Sequence, residues 1–167
     1  MKFSCEKLLL QSAVATASRA VAAKSTIPAL EGVLLQTGNQ LTVSGYNMQT
    51  GIRTTLEADI TEEGALVLPA RLFGEIIRRL PDDVVTFYSD KGMNVQLTCG
   101  DAAYNITALS AEDYPELPEV EDQYSLRIQQ QTLRSMIGET SFAVSADEAR
   151  PIHTGSLFEI SEEGLTV

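Results

Sequence analysis

Residues 68–83 read LPARLFGEIIRRLPDD, and this stretch combines an apolar helical stripe with three arginines. The stripe recurs at the three- and four-residue spacing of one helix face. It consists of Leu72, Phe73, Ile76, Ile77 and Leu80. Arg71 and Arg78 are seven residues apart, so two helical turns place them together on the opposite face. The pattern therefore predicts an amphipathic helix over residues 70–80, packed on one side and cationic on the other.

The cationic face contrasts with the composition of the protein, which is acidic. Its 167 residues include 23 Asp and Glu against 12 Lys and Arg, a formal net charge of −11. Such a balance argues against a protein that binds nucleic acid over its whole surface. It does not exclude a local cationic stripe, because the electrostatic field depends on where the charges lie.

The remaining composition is typical of a globular domain of the cytosol. An apolar fraction of 44% suits a chain that buries a core. No apolar run approaches the roughly 20 residues of a membrane helix, and Glu6 with Lys7 interrupts the N-terminal apolar segment, so we expect no targeting segment. Cys5 and Cys99 lack the spacing of a disulfide or metal framework, and we expect both to be buried thiols.

Two further windows, residues 7–22 and 129–142, repeat the helical periodicity in the same context. Each helix follows a short extended piece. These pieces are KFSC (2–5), ALVLP (65–69) and SLRIQ (125–129). Strands follow the helices, joined by turns that contain glycine with asparagine or aspartate, at residues 38–39, 90–92 and 100–101. The sequence predicts an α+β fold of repeated β-α-β-β-β units, with helices on one face of an antiparallel sheet.

The first and third units align directly. STIPALEGVLLQTGNQLTV (25–43) matches EARPIHTGSLFEISEEGLTV (148–167), and the third unit ends inside its first hairpin. Pro28 and Gly32 match Pro151 and Gly155, both 123 residues later. We take this match, with the shared element order, as an internal repeat.

Domain boundaries follow from the repeat and from an acidic segment between its second and third copies. Residues 110–123, SAEDYPELPEVEDQ, contain six acids, two prolines and no basic residue, which predicts an extended linker. The prediction is one domain of two units over 1–109, a linker over 110–123, and the incomplete start of a second domain over 124–167. The missing strands would leave an unpaired sheet edge, so we expect the chain to be a fragment.

Charge is distributed unevenly between the predicted helices and the remaining chain. Windows 6–22, 70–80 and 129–142 contain six basic residues and three acids, whereas the rest contains six and 20. The six are Lys7, Arg19, Arg71, Arg78, Arg79 and Arg134. Solvated surface arginines would explain any one helix, but the segregation over all three favours a phosphate-facing surface. No aromatic platform interleaves them, so we expect sequence-independent attraction to duplex phosphates.

Two alternatives remain open from the residues. An enzyme would have to use His153, the single histidine, which has no recognisable nucleophile motif beside it, and no glycine-rich phosphate loop is present. The acid pairs at predicted turns are more typical of solvated carboxylates than of metal ligands. An acidic protein-interaction module without DNA binding agrees with the net charge but not with the basic helices.

Five segments in order resemble one family, the bacterial DNA polymerase III beta subunit or sliding clamp, along the whole chain. They are MKFSCEKLL (1–9), IPALEGVLLQ (27–36), LPARLFGEIIRRLP (68–81), ALSAEDYPELP (108–118) and RPIHTGSLFE (150–159). The resemblance implies a DNA-clamp fold, two chains closed head to tail into a ring, and helices that line a hole for duplex DNA. It implies a non-catalytic processivity factor of chromosomal replication that needs no cofactor or metal.

The resemblance also implies individual site residues and partners. Lys24 and Arg71 fall at basic DNA-contacting positions of the family, and Arg150 falls in its partner-peptide cleft. His153 lies in the same cleft, where we would expect an aliphatic residue. With the charge pattern, the predicted DNA-binding set is Lys24, Arg71, Arg78, Arg19 and Arg134. The implied partners are double-stranded DNA, the replicative polymerase, a clamp-loader ATPase, other proteins with clamp-binding motifs and a second copy, all in the cytoplasm.

Overall fold

The computed structural model describes residues 1–119, 126–147, 149–161 and 164–167. The chain divides into two compact units, Met1–Glu119 and Val120–Val167. Residues 110–119, which the sequence assigns to a linker, therefore belong to the first unit. The part of the predicted linker at 120–123 lies outside the described residues.

The first unit consists of ten strands and two α-helices, with two short 3-10 turns between α1 and β2 and one after β10. In chain order the elements are β1 Lys2–Glu6, α1 Lys7–Ala17, β2 Gly32–Thr37, β3 Leu41–Tyr46, β4 Gly51–Leu56, β5 Asp59–Glu62, β6 Gly64–Pro69, α2 Ala70–Arg79, β7 Val84–Ser89, β8 Asn94–Cys99, β9 Ala102–Thr107 and β10 Leu109–Ser110. The α+β class is present, and the first unit contains both predicted repeats. Each repeat ends in an additional short strand, β5 or β10, that the sequence pattern does not reveal.

The ten strands form two antiparallel five-stranded sheets, in the orders β5-β1-β7-β8-β9 and β10-β6-β2-β3-β4. Each repeat thus contributes its first and last strands to the sheet that contains the other repeat's three middle strands. The expectation of one sheet is replaced by two, because β1 pairs with β7 and β6 pairs with β2. This exchange makes the two sequence repeats one structural unit.

The two repeats of the first unit align in sequence with a spacing of 63 residues. α1 buries Lys7, Leu10, Ala13, Val14 and Ala17. The residues 63 positions later, Ala70, Phe73, Ile76, Ile77 and Leu80, are buried as well. Side chains alternate between the two faces of β1 and β6, and the inward residues of these strands follow the same 63-residue spacing as the buried residues of the helices. The buried positions of the two helices therefore preserve the repeat.

The helix ends follow local chemistry. α2 ends at Arg79 because Leu80 precedes Pro81, and a residue before proline is disfavoured in the helical region. α1 has no such stop and continues as a 3-10 turn, Ser18–Ala20. One residue departs from the predicted stripe: Leu72 is 48% exposed, because it lies at the edge of the buried face.

A continuous apolar core joins the inward faces of both sheets to both helices. Within it the rings of Phe3 and Phe87 stack with their centroids 4.7 Å apart. A second cluster lies on the opposite face of β2 and β6, where Leu34 and Val67 are covered by Tyr114. Burial raises the pKa of Tyr114 to about 12. Tyr114 therefore fastens the segment after β10 to the first unit.

The predicted turns each join two strands. Gly38 lies between β2 and β3, and Gly100, with φ +54°, lies between β8 and β9. Between β7 and β8, the Asp90 Oδ1 accepts hydrogen bonds from the backbone of Gly92 and Asn94 at 2.8 and 2.9 Å. The side-chain hydrogen bond from Asn94 is the main cause that lowers the pKa of Asp90. The left-handed residue of this turn is Met93, with φ 61°, rather than glycine.

The described part of the second unit repeats the start of the first. α3, Gln130–Thr140, begins and ends 123 residues after α1, and a 3-10 turn follows both helices. A second such turn, Pro151–Thr154, lies 123 residues after Pro28–Glu31. β11 Glu159–Ser161 and β12 Gly164–Thr166 form the hairpin. Residues 126–129 form no paired strand, but Gln129 directly before α3 has an extended backbone, with φ −65° and ψ 133°, and the first residue of the predicted extended piece, 125, lies outside the described residues.

Candidate nucleic-acid interface

α2 presents the cationic face that its spacing predicts. Phe73 and Ile77 are fully buried on its inner side, whereas Arg71, Arg78 and Arg79 are exposed on its outer side. Two of the arginines lie in the last turn, where a positive charge complements the helix dipole. The helix therefore holds three guanidinium groups toward solvent on a rigid and well-packed support.

Arg71 and Arg78 line a shallow groove between α1 and α2 with a volume of about 360 Å³. Gly74 faces Val14 at the floor of this groove, with room for a methyl group, and Ala15 adds another small side chain. The small residues keep the two helices close and the surface between them low. Within the first unit, both arginines are therefore accessible at the edge of an open groove.

One arginine of this face is already paired. The Nε of Arg71 donates to the Oε1 of Glu75 at 3.5 Å, one helical turn along. The Arg71 side chain is 94% exposed and the Glu75 side chain 44% exposed. An exposed pair of this kind contributes about 0.3–0.5 kcal/mol to a helix, so it leaves Arg71 able to exchange Glu75 for a phosphate.

α1 contributes no exposed cation, which corrects the count of helix-borne bases. Lys7 is 8% exposed, and its Nζ donates to the Oδ1 of Asp82 at 2.7 Å. A buried ammonium needs such a partner because desolvation disfavours an isolated charge. The ion pair joins the start of α1 to the turn that follows α2 and removes Lys7 from any phosphate-facing surface.

Arg19 and Lys24 lie in the segment that follows α1, and both are exposed. Arg19 belongs to the 3-10 turn Ser18–Ala20. Lys24 lies in a loop whose position is fixed, since the Oε1 of Glu31 accepts a hydrogen bond from the backbone N–H of Ser25 at 3.0 Å. All four predicted DNA-binding residues of the first unit are thus exposed, although only Arg71 and Arg78 line the groove between α1 and α2.

The other three predicted site residues belong to the second unit. Arg134 is exposed on α3, where Glu139 balances its charge, so the predicted segregation of positive charge is realised on α2 alone. Arg150 and His153 are exposed and line a small pocket with Ser145 and Asp147.

The chain matches a known family over most of its length. Residues 1–118 match the family described as DNA polymerase III beta subunit, N-terminal domain. The chain belongs to this family. A relative from Synechococcus elongatus named beta sliding clamp is 33% identical over 168 residues, which cover 99% of this chain and 45% of that protein. The chain therefore spans about half the length of the relatives that it matches.

Solved structures of the family share the fold. A crystal structure from Eubacterium rectale assigned to a DNA polymerase III beta subunit has a TM-score of 0.93 and 34% identity, covering 97% of this chain and 45% of that one. The DNA polymerase sliding clamp of Bacillus subtilis has a TM-score of 0.86 and 30% identity, covering 91% and 42%. The sheets and helices described above are those of sliding clamps, and the predicted resemblance is confirmed.

Sequence reasoning missed two residues that position α1, which forms one side of the groove. Asp82 neutralises Lys7 across 75 positions of sequence. The available signal was Lys7 itself, which occupies the apolar stripe of α1, three residues before Leu10. Gly45 is the second, because a methyl group there would overlap the carbonyl oxygen of Ala17. Gly45 lets the end of α1 lie directly on β3, and a lone glycine in a strand indicates such close approach.

The described residues offer little to the alternative of catalysis. No group of three or more His, Cys, Asp or Glu in them could hold a metal ion. Both cysteines are buried and free, as predicted. Burial raises the pKa of the Cys5 thiol to about 12 and also raises that of Cys99, so neither is a ready nucleophile. The described helices include none that is long and apolar enough to span a membrane.

Proposed function

We propose that this chain forms part of a ring-shaped sliding clamp that encircles duplex DNA and tethers the replicative polymerase. Family membership supports this proposal, as do the relatives that are themselves named sliding clamps. In such a ring, tethering raises the effective concentration of the polymerase at the primer end. The clamp acts without catalysis, as a processivity factor.

The observation that carries the proposal for this chain is the outer face of α2. An acidic protein with a net charge of −11 holds three exposed arginines on one ten-residue helix, next to a shallow groove lined by small residues. This arrangement suits weak contacts with phosphates, which are salt-dependent and independent of base sequence. Weak, uniform contacts are what a protein that slides along DNA requires.

The proposed DNA contacts are Arg71 and Arg78 from the groove, Arg19 and Lys24 from the segment after α1, and Arg134 from α3. Exposure of all five supports their assignment. Glu139, five residues after Arg134, reduces the positive field of α3, so we expect Arg134 to contribute least.

The proposed partners of the assembled protein are duplex DNA, the replicative polymerase, a clamp-loader ATPase that opens the ring, other proteins with a clamp-binding motif, and a second copy of the chain. Arg150 and His153 would form part of the cleft for that motif. The sliding clamp of Pseudomonas aeruginosa has been crystallised with griselimycin, which makes this compound a useful probe. Two free, buried thiols agree with a reducing cytoplasm.

Two charge reversals test the DNA face. In the assembled protein, Arg71→Glu with Arg78→Glu should lower retention on circular duplex DNA at least tenfold, because two phosphate contacts become repulsions. The matched control is Lys2→Glu with Lys91→Glu, which changes the net charge equally at exposed residues outside the helices. Circular dichroism of both variants should match the parent, since all four side chains are exposed.

Topology distinguishes a ring from a simple electrostatic binder. The parent protein should remain on closed circular DNA and leave once the circle is cut, whereas a simple binder would show no difference between the two substrates. Equal retention by the Arg71/Arg78 variant and the parent would remove the proposed DNA face. An equal loss of retention in the control variant would mean that the change in net charge, rather than the position of Arg71 and Arg78, causes the effect.

A further inference from the structure

α1 and α2 together contain a single acidic residue, Glu75. It lies on the outer side of α2 and lines the same groove as Arg71 and Arg78. A carboxylate at this place would oppose a phosphate that approaches either arginine. Its presence needs an explanation if the surface serves only to attract DNA.

The contacts of Glu75 are local. Its Oε1 accepts the hydrogen bond from the Nε of Arg71 at 3.5 Å, and Arg79 lies four residues further along, in the favourable order for a second helical pair. At 44% exposure the side chain is partly withdrawn from solvent. Glu75 can therefore neutralise one arginine and repel a phosphate from the middle of the face at the same time.

The fold does not require a carboxylate at this position. The residue 63 positions earlier, Ser12, occupies the equivalent place on α1, and both helices form with the same buried stripe. An exposed helical ion pair stabilises a protein only slightly. A structural role thus accounts poorly for the one acid on this surface, and a role toward the ligand remains.

We propose that Glu75 is an attenuator of DNA affinity, holding Arg71 in part and repelling phosphate so that the α2 face binds duplex DNA weakly enough to slide. This inference rests on the proposed function. The ligand is the sugar-phosphate backbone of duplex DNA, read through charge alone. Removal of the carboxylate should strengthen binding and not change its indifference to base sequence.

Salt dependence gives the inference a signature. Each additional phosphate neutralised by a protein cation steepens the slope of log K against log salt by about 0.9. In the parent, Arg71 divides its time between Glu75 and phosphate. Without Glu75 the arginine would be free for phosphate, and the slope should steepen by up to about 0.9.

The test is an NMR titration of the chain with a 12-base-pair duplex at low salt, comparing the parent with Glu75→Gln. We expect dissociation constants about three- to fivefold lower in Glu75→Gln, with a steeper salt slope and the largest shifts in α2. Glu112→Gln is the matched control, because it removes the same charge from an exposed residue of the first unit outside α1 and α2. Glu75→Ser, which installs the α1 residue, should behave as Glu75→Gln does.

The outcomes separate the inference from the proposed function. If the parent binds through α2 but neither Glu75 variant binds more tightly than Glu112→Gln, Glu75 is not an attenuator, and the proposed function stands. If the parent shows no salt-dependent shifts in α2, the proposed DNA face fails and the inference fails with it. Unchanged helical circular dichroism in both Glu75 variants excludes a change in folding as the cause.

Discussion

α1 and α2 occupy equivalent places in the first unit but present different surfaces to solvent. At the four outward positions that the 63-residue spacing relates, α1 has Leu8, Ser12, Ala15 and Thr16, whereas α2 has Arg71, Glu75, Arg78 and Arg79. Every charged residue of α2 corresponds, in the repeat, to an uncharged residue of α1. The inner faces, by contrast, are both apolar apart from Lys7.

The comparison separates two demands on one repeated helix. Packing against the sheets fixes the inner face, and it permits changes of size such as Leu10 to Phe73 as long as the position stays buried. Packing constrains the outer face much less, so most of its positions are free to vary in charge. An interface to phosphate therefore needs only one of the two helices to be cationic.

The largest expected effect comes from the inner face. Phe73→Ala should lower the free energy of unfolding by about 3–5 kcal/mol, because it leaves a cavity at a fully buried position. Urea unfolding followed by circular dichroism measures this change. Leu72→Ala, at the neighbouring residue that is 48% exposed, is the control and should cost below about 1 kcal/mol. Similar losses in both variants would contradict the assignment of the two faces.

The ends of the two helices differ, and so does the strand residue that lies beside each end. Strand pairing makes Ser44 of β3 equivalent to Thr98 of β8, so Gly45 is equivalent to Cys99. α2 stops early, and the Cys99 thiol has room to donate to the carbonyl oxygen of Pro81 at 3.4 Å. α1 continues as a 3-10 turn, and no side chain fits at Gly45.

Gly45→Ala breaks this difference. Its methyl group would overlap the carbonyl oxygen of Ala17, so α1 must move or β3 must bend, at a cost of about 1–3 kcal/mol in the free energy of unfolding. Gly38→Ala is the control, because a methyl group there meets no atom within 4 Å. The same urea measurement applies. An unchanged midpoint for Gly45→Ala would show that the end of α1 is not held against β3.

Much of this arrangement could be predicted from the sequence because periodicity reports the faces of a single element. The bounds of α2 are predicted to within one residue, the strand-joining turns and the two buried cysteines are confirmed, and the position of Arg71 beside Arg78 follows from their spacing. Periodicity does not report which strands pair. The exchange of β1 and β6 between sheets, and the short strands β5 and β10, depend on contacts between residues far apart in sequence.

The candidate site was predictable to the same extent. The exposed arginines of α2 follow from the pattern, but Lys7 does not, because its partner Asp82 lies beyond the whole first unit of the repeat. A lysine in an apolar stripe indicates that an acidic residue must lie near it in the fold, but the sequence pattern does not identify which acidic residue that is. The DNA contacts of Arg19, Lys24 and Arg134 remain predictions, since their assignment depends on a ligand rather than on packing.

The strands that precede the two helices differ at one buried position, which can ionise in β1 but not in β6, and this difference gives a pH-dependent prediction. Cys5 on β1 is the counterpart of Leu68 on β6, and burial raises the pKa of the Cys5 thiol from 9.0 to about 12. The unfolded chain loses this proton first, so the stabilisation is fully present below about pH 9 and is lost as the pH rises toward 12. Between pH 8 and pH 10 the loss due to Cys5 should be about 1 kcal/mol.

Cys5→Val tests this assignment, since valine keeps the position apolar as Leu68 is and cannot ionise. Urea unfolding at pH 8 and pH 10 should show a smaller pH-dependent loss in the variant than in the parent, by about 1 kcal/mol. Other titrating groups contribute equally to both proteins. Parallel losses would mean that the thiol is not held in its neutral form by burial.

The smallest change in stability is expected on the outer face, where Thr16 of α1 corresponds to Arg79 of α2. The Thr16 hydroxyl donates to the carbonyl oxygen of Ser12 at 2.8 Å, a bond that slightly disfavours straight helix. Thr16→Arg should stabilise α1 by about 0.3 kcal/mol through helix propensity. Thr16→Gln has a similar propensity without the charge, so urea unfolding should not distinguish the two variants.

Duplex DNA should distinguish them. If the outer faces of both helices meet phosphate, Thr16→Arg should tighten binding about three- to fivefold at low salt and steepen the salt slope, whereas Thr16→Gln should bind as the parent does. Tighter binding by Thr16→Arg would show that the uncharged face of α1 lies within reach of DNA and is kept neutral. Equal binding by both variants would restrict the interface to α2, and the two helices would then differ in location relative to the ligand as well as in charge.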